Sequence, residues 1–388
     1  MHVRIVSTQR FDLRALSIRA LSIRALSSAA LLCACSTSDP PPAALGPLAE
    51  PLLSDIDADG PFAVGYLSFE TTYAAPTGGD RTIFVNVWYP TEEIIADPPQ
   101  YDIPKYQSLF PDPDVFSNAP AARPAYDGTY PIVVHSHGFR GWGGNSSDLL
   151  RHFATHGWVV VAPDHKDNTL LNPVDPLPPA HFFQRPLDVR AALDALATGA
   201  VTDFDPATLD FDSVLMTGHS FGTYTCWASA GAAYDAGAVA QTCATELDGG
   251  PCSSDEVEVF TSADLSEARV RATIPMAGGY RAEWFGASGH GGVTIPMMMM
   301  TGDDDSVDGQ AVFDMVGDVD FTWIDVAGGC HQLFGLGDCA QIANQEGFRI
   351  VNAHALAYAR YHVLDDQSVA AVVDGTESVD DRVTFTKK

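Results

Sequence analysis

Three residues of this chain have the types, order and settings of a nucleophile, an acid and a base. Ser220 sits at the centre of Gly218-His219-Ser220-Phe221-Gly222, entered from the apolar run Val214-Leu215-Met216 and left through the helix-tolerant run Thr223 to Ala230. A serine hydroxyl is a poor nucleophile near neutral pH, so it needs a general base. The base in turn needs a carboxylate to fix its tautomer and stabilise the imidazolium that forms. Both follow downstream, each after an apolar run. Ile295-Pro296-Met297-Met298-Met299-Met300-Thr301 leads into Gly302-Asp303-Asp304-Asp305-Ser306, and Trp323-Ile324-Asp325-Val326-Ala327 leads through Gly328-Gly329-Cys330 to His331. The chemistry these types perform together is acyl transfer through a covalent serine intermediate.

The elements around them are those such chemistry requires. Strand, sharp turn and helix around Ser220 form a nucleophile elbow, which raises the hydroxyl above the edge of a parallel sheet. Side chains at Gly218 and Gly222 would collide as strand and helix close on each other. Ser, acid and His in that chain order, each just after a strand, is the order of an α/β-hydrolase. Asp305 is the expected acid because it stands where a Gly-x-x-Asp loop places it. Asp304 is the next choice, and a solvated or calcium-binding loop is the other reading of Asp303, Asp304, Asp305 and Asp308. The base is His331, since it alone of the twelve histidines follows the last core strand. An oxyanion needs two backbone donors, one from the residue after the nucleophile and one from the loop after the early strand. These are Phe221 and, in His135-Ser136-His137-Gly138-Phe139, Phe139. His135 and His137 lack a third ligand at matching spacing, so no metal site is expected there. His152 and His156 read as helix-surface positions.

Strand and helix alternate from Tyr130 onward: strands at 131–135, 158–163, 270–276, 295–301 and 319–326, and helices at 148–155, 185–196 and 342–361. The four consecutive methionines suit a strand buried on both faces. This alternation predicts an α/β fold with a mostly parallel central sheet and helices on both faces. Segments 64–73 and 82–90 read as an antiparallel edge, 92–129 as irregular surface loop, and 238–268 as a polar, cysteine-bearing insertion near the site. The tail after Asp366 carries no clear pattern.

The 388 residues, 46% hydrophobic and 18% charged, fit a globular protein with a sizeable core. A formal charge of −29 argues against nucleic acid and anionic membrane surfaces as partners. Residues 1–34 have the basic start and apolar centre of a signal peptide. Leu32-Cys33-Ala34-Cys35 resembles a bacterial lipobox, with Cys35 as the lipid-bearing first residue of the mature chain. A Pro/Asp-rich tether at 35–59 follows, and 60–388 reads as one catalytic domain. Alternating aspartates at 55–59 suggest a calcium loop, but Tyr66 stands at the twelfth position, so a solvated linker end is the better reading. In an oxidising compartment the remaining cysteines are read as bridges. Sequence proximity pairs Cys243 with Cys252 and Cys330 with Cys339, leaving Cys226 as a buried thiol.

Taken together, Tyr130 to Val134, Ser136-His137-Gly138-Phe139, Gly157 to His165, Arg185-Pro186-Leu187-Asp188-Val189, the elbow, and His331-Gln332-Leu333-Phe334 resemble the platelet-activating factor acetylhydrolase family. That family merges with bacterial proteins described as predicted dienelactone hydrolases. The resemblance implies an α/β-hydrolase fold, a Ser220–Asp305–His331 triad, Phe139 and Phe221 as oxyanion donors, and no cofactor. It also implies small-molecule or lipid esters with short acyl chains. Thr223 departs from the glycine usual there, which bears on helix packing. A polyester or cutinase-like hydrolase is the alternative within this class. A non-catalytic surface binding protein on the same fold is the alternative outside it.

The lipobox generates a first prediction. Mass spectrometry of the membrane fraction should find a lipid-modified N-terminus at Cys35, and Cys35→Ala should release the protein. An unmodified terminus elsewhere contradicts the lipobox reading.

Overall fold

Two neighbouring strands of a large sheet send their following loops in opposite directions, and that divergence decides where a site can form. The computed structural model describes residues 56–92, 112, 114–201, 204–245 and 249–388. Cys35, the leader, nearly all of the tether and all of 93–111 lie outside the described residues. In chain order the strands are β1 (Ala63–Ala74), β2 (Asp80–Thr91), β3 (Val115–Ser117), β4 (Tyr130–Ser136), β5 (Val159–Asp164), β6 (Leu209–His219), β7 (Val270–Met276), β8 (Met297–Gly302), β9 (Phe321–Val326) and β10 (Val383–Lys387). The helices are α1 (Ser147–Thr155), α2 (His181–Ala197), α3 (Phe221–Ser229), α4 (Ala236–Thr245), α5 (Ser254–Ser262), α6 (Ala282–Phe285), α7 (Gly309–Met315), α8 (Asn344–Leu364) and α9 (Ala370–Val373).

The strands lie in the order β10-β9-β8-β7-β6-β4-β5-β2-β1-β3. Neighbours from β5 across to β9 run parallel, while β2 pairs antiparallel with β1 and β5. From β4 the chain moves outward to β5, then returns to the other side of β4 to lay down β6. Loops leaving β4 and β6 therefore part company, and the crevice between them is where α/β sheets bind ligands.

Period-two alternation in the parallel strands sends successive side chains to opposite faces. Val133, Leu215, Ile274, Met298 and Met300 pack on one face with Leu150 and Phe153 of α1 and Leu356 of α8. Ile132, Val134, Val214 and Met216 pack on the other with Val189 and Leu193 of α2 and Cys226 of α3. Met297 and Met299 join that second side beside Trp227. The methionine run is thus buried on both faces, as a central parallel strand requires. This is an α/β-hydrolase-type fold, a mostly parallel sheet covered by helices on both sides.

Several local expectations are corrected. His152 and His156 are buried, because their Nε2 atoms bond the Ile56 and Ala58 carbonyls at 3.0 and 2.9 Å and draw that segment over α1. Helix α2 begins four residues before Arg185 and holds Pro186 inside it, since Phe182 and Phe183 have core to bury. Part of the supposed surface loop is strand β3, parallel to β1, with Val115 fully buried. The tail is not featureless either, as β10 closes the sheet edge antiparallel to β9. The insertion forms α4 and α5, bridged by Cys243–Cys252 and packed through Val239 and Phe260 against Trp284.

Burial of imidazoles has a consequence for stability. Desolvation pushes His135 down to about 3 and His156, His181 and His219 down to about 4. In the unfolded chain each titrates near the ordinary 6.5. Between pH 6.5 and 4 the unfolded state therefore binds more protons, and stability falls as pH falls through that window. Each group costs roughly 1–2 kcal/mol by pH 5. The thermal midpoint should drop by on the order of 10 °C from pH 7 to pH 5; a flat or rising midpoint contradicts the burial of these rings as neutral species.

Candidate active site

Ser220 lies between the end of β6 and the first residue of α3, with φ 56° and ψ −113°. Such a conformation is strained for a residue with a Cβ and has to be held from outside. Its N–H donates to the Met276 carbonyl at 2.8 Å, and Thr223 Oγ1 donates to the same carbonyl at 3.0 Å. The departure at Thr223 thus ties the elbow helix to the end of β7. Close approach explains one glycine: a Cβ on Gly222 would stand 1.9 Å from the Ser136 carbonyl oxygen. The elbow and the loop after β4 can touch only because that atom is missing.

The loops after β8 and β9 meet in the same way. A Cβ on Gly302 would lie 2.2 Å from the Gly329 carbonyl. Asp303 Oδ1 accepts from Gly328 N at 2.6 Å, so the first aspartate joins the two loops. Asp305 reaches His331, whose Nδ1 is 3.0 Å from Oδ2 and 3.2 Å from Oδ1. His331 Nε2 is 2.9 Å from Ser220 Oγ. With the Nδ1 proton given to the carboxylate, Nε2 is left to accept from the hydroxyl. The Asp305 side chain is 2% exposed and His331 39% exposed, so the carboxylate is sheltered and the imidazole faces the cleft. Asp304 is exposed, and Asp308 accepts from Ala311 N at 2.9 Å as the cap of α7. The structure brings Ser220, His331 and Asp305 together, uses Asp303 and Asp308 elsewhere, and leaves Asp304 at the surface.

Two further supports hold His331. Cys330, its chain neighbour, is bonded to Cys339. His219 Nε2 donates to the His331 carbonyl at 2.9 Å, with the two rings 5.0 Å apart. Because burial holds His219 near 4, it stays neutral and does not repel an imidazolium on His331. Sequence reasoning placed His219 only as the variable position of the elbow. Its signal was there, a ring bearing a donor directly before the nucleophile.

Phe139 and Phe221 flank Ser220 in a cleft of about 630 Å³. As the first residue of α3, Phe221 has an N–H without an intrahelical acceptor. Phe182, Tyr224 and Tyr280 make the walls aromatic, and Arg281, Glu283 and Asp175 supply charge to the lining. No described residue of 238–268 lines the cleft; Thr242 of α4 instead bonds the Glu283 carbonyl at 2.7 Å and supports a wall from behind. A second cavity of about 630 Å³, between β1 and α2, contains no nucleophile with a base beside it. His135 and His137 are wholly buried, and among the described residues no three His, Cys, Asp or Glu side chains form a group able to hold a metal ion.

Comparison with known proteins gives a likeness to chlorophyllases, an α/β-hydrolase-type family. Residues 114–237 match the Chlorophyllase family model. That stretch contains β4, the loop with Phe139, and Ser220, and stops short of Asp305 and His331. Chlorophyllase-1 of Arabidopsis thaliana is 39% identical over 74 residues, which are 19% of this chain. The chain spans about a fifth of the length of that curated relative. The likeness therefore covers the segment with the candidate nucleophile, and the candidates Asp305 and His331 rest on geometry alone.

Proposed function

We propose that this protein is a serine carboxylic ester hydrolase working through Ser220, His331 and Asp305. The observation that carries the reading is the continuous hydrogen-bonded line from Ser220 Oγ through His331 to Asp305, at 2.9 and 3.0 Å, opening on an aromatic cleft. The likeness to chlorophyllases around the nucleophile supports the same reaction class.

In this reading Ser220 Oγ attacks the ester carbonyl carbon while its proton passes to His331 Nε2. Negative charge collects on the carbonyl oxygen, facing the amides of Phe139 and Phe221. The tetrahedral intermediate collapses, the carbon–oxygen bond to the alcohol breaks, and His331 returns the proton to the leaving oxygen. Water then attacks the acyl-enzyme, gives a proton to His331, and Ser220 leaves with that proton as the acid is released. Asp305 accepts the hydrogen bond from the His331 Nδ1–H and keeps the ring in orientation.

Short-acyl esters, as in platelet-activating factor acetylhydrolases, are the substrates the sequence resemblance favours, and polyester or cutinase-like substrates remain the alternative. A cleft of about 630 Å³ suits a small or medium-sized ester. A binding protein without catalysis would have no use for all three side chains in register. The same reading takes 60–388 as one catalytic domain, exported and held to a membrane by lipid on Cys35. The two disulfides agree with an oxidising compartment, and no described helix is long and apolar enough to cross a membrane.

Nitrophenyl esters of increasing acyl length provide the test. Ser220→Ala should lower kcat by roughly 10⁴–10⁶-fold in a folded protein, and adding His331→Ala should cost little more. Asp305→Asn should lower kcat by about 10⁴-fold, far beyond Asp303→Asn or Asp304→Asn. A folded Ser220→Ala protein that keeps most of its activity contradicts the proposal.

A further inference from the structure

Behind the loop that carries Phe139 lies a second serine-histidine-aspartate chain, which the proposed reaction does not use. Ser136 Oγ is 2.9 Å from His165 Nε2, and His165 Nδ1 is 3.0 Å from Asp188 Oδ2. The connectivity repeats that of Ser220, His331 and Asp305. All three of these residues, however, are 0% exposed, so no substrate reaches Ser136. Asp188 is also saturated. Tyr73 Oη and Arg81 Nε donate to Oδ1 at 2.8 Å each, and Arg81 Nη2 joins His165 on Oδ2 at 2.9 Å.

Saturation fixes the direction of every proton in the chain. Asp188 accepts, so His165 carries its proton on Nδ1, and Nε2 accepts from Ser136. The lone pairs of Ser136 Oγ are then presented to Arg185, whose Nη2 lies 3.1 Å away. Arg185 is itself fully buried. Its Nε donates to Thr225 Oγ1 at 3.1 Å, its Nη1 to Asn168 Oδ1 at 3.2 Å, and its Nη2 also to the His137 carbonyl. The guanidinium lies 4.3 Å from the centre of the Phe221 ring. Burial lowers its pKa to about 9, which leaves it cationic at neutral pH.

These contacts decide where the amides of the loop point. The His165 N–H donates to His137 Nε2 at 3.0 Å, so the His137 proton is on Nδ1 and goes to the Gly138 carbonyl at 2.7 Å. The carbonyls of His137 and Gly138 are thus both tied down. In a trans peptide the C=O and N–H point to opposite sides. The N–H groups of Gly138 and Phe139 are thereby turned away from Arg185 and His137, and Phe139 lines the cleft with Ser220. The other amide of the pair belongs to Phe221, whose ring rests on the same guanidinium.

We propose that Arg185 is the positioning residue of the oxyanion hole, seated against the His137 carbonyl and the Phe221 ring by the buried Ser136–His165–Asp188 chain. The inference rests on the reading of Phe139 and Phe221 as oxyanion donors. A cation held behind both amides also favours the negative charge that forms in front of them. Lysine keeps the charge at position 185 but has no planar fork to hold four acceptors at once.

The test measures kcat, KM and the affinity for a trifluoromethyl ketone, which forms a tetrahedral oxyanion on the nucleophile. Arg185→Lys should lower kcat by about 100-fold and weaken the ketone by a similar factor, the scale of losing one oxyanion donor, with KM within about threefold. The pH profile of the rate should keep its wild-type shape. Ser136→Ala should move kcat and ketone affinity in the same direction by about tenfold in a protein that still melts cooperatively. A lower melting temperature with wild-type kcat per folded molecule and wild-type ketone affinity overturns the inference. If Arg185→Lys does not fold, Ser136→Ala decides: parallel losses support the proposal and unchanged values overturn it. Ser220→Ala separates the two levels, since activity retained there removes the hydrolase reading itself, whereas activity lost there with Arg185→Lys at wild-type kcat removes only this inference.

Discussion

Everything at this site depends on keeping one residue in an unfavourable backbone conformation. Ser220 at φ 56° costs on the order of 1–3 kcal/mol, which the neighbouring elements must supply. They do so by convergence. Met276 at the end of β7 accepts from Ser220 N and Thr223 Oγ1, and His219 donates to the His331 carbonyl. The same turn that strains Ser220 starts α3, so the hydroxyl, the Phe221 amide and the end of the helix dipole arrive together. Were the elbow to relax to ordinary φ, the 2.9 Å contact with His331 would be lost along with the amide beside it.

The three catalytic candidates come from three loops, after β6, β8 and β9, and their accuracy depends on how those loops touch. Between β8 and β9 the contact is backbone against backbone at Gly302 and Gly329, reinforced by Asp303 on Gly328 N. Between β6 and β4 it is Gly222 against the Ser136 carbonyl. Sites built on strand ends in this way inherit the rigidity of the sheet, whereas a shift near 1 Å at a reacting group costs about 100-fold in rate. The Cys330–Cys339 bond adds a covalent limit on the glycine-rich turn that carries His331.

Much of this was legible in the sequence because the informative signals are local. The elbow is five residues, the candidate acid Asp305 lies three residues after the end of β8, and nine positions separate the cysteines of each bridge. What escaped was determined by partners far along the chain. His152 and His156 look like helix surface until residues 56–60 fold over them. Strand β10, with its Val383 and Phe385 alternation, becomes a strand only because β9 offers an unpaired edge. The role of Arg185 is the clearest case, since its acceptors at Ser136, His137, Asn168 and Thr225 come from separate segments on both sides of it in sequence. An arginine near the start of an amphipathic helix gives no sign that it will end fully buried.

The central claim is that Ser220 is an activated nucleophile, and covalent labelling tests it most directly. The purified protein is treated with a fluorophosphonate near neutral pH, and the adduct is located by intact mass and peptide mapping. The account predicts one adduct per chain, on Ser220, absent in Ser220→Ala and formed much more slowly in His331→Ala. An ester-hydrolysing protein with no adduct, or with its adduct on another residue, would contradict it.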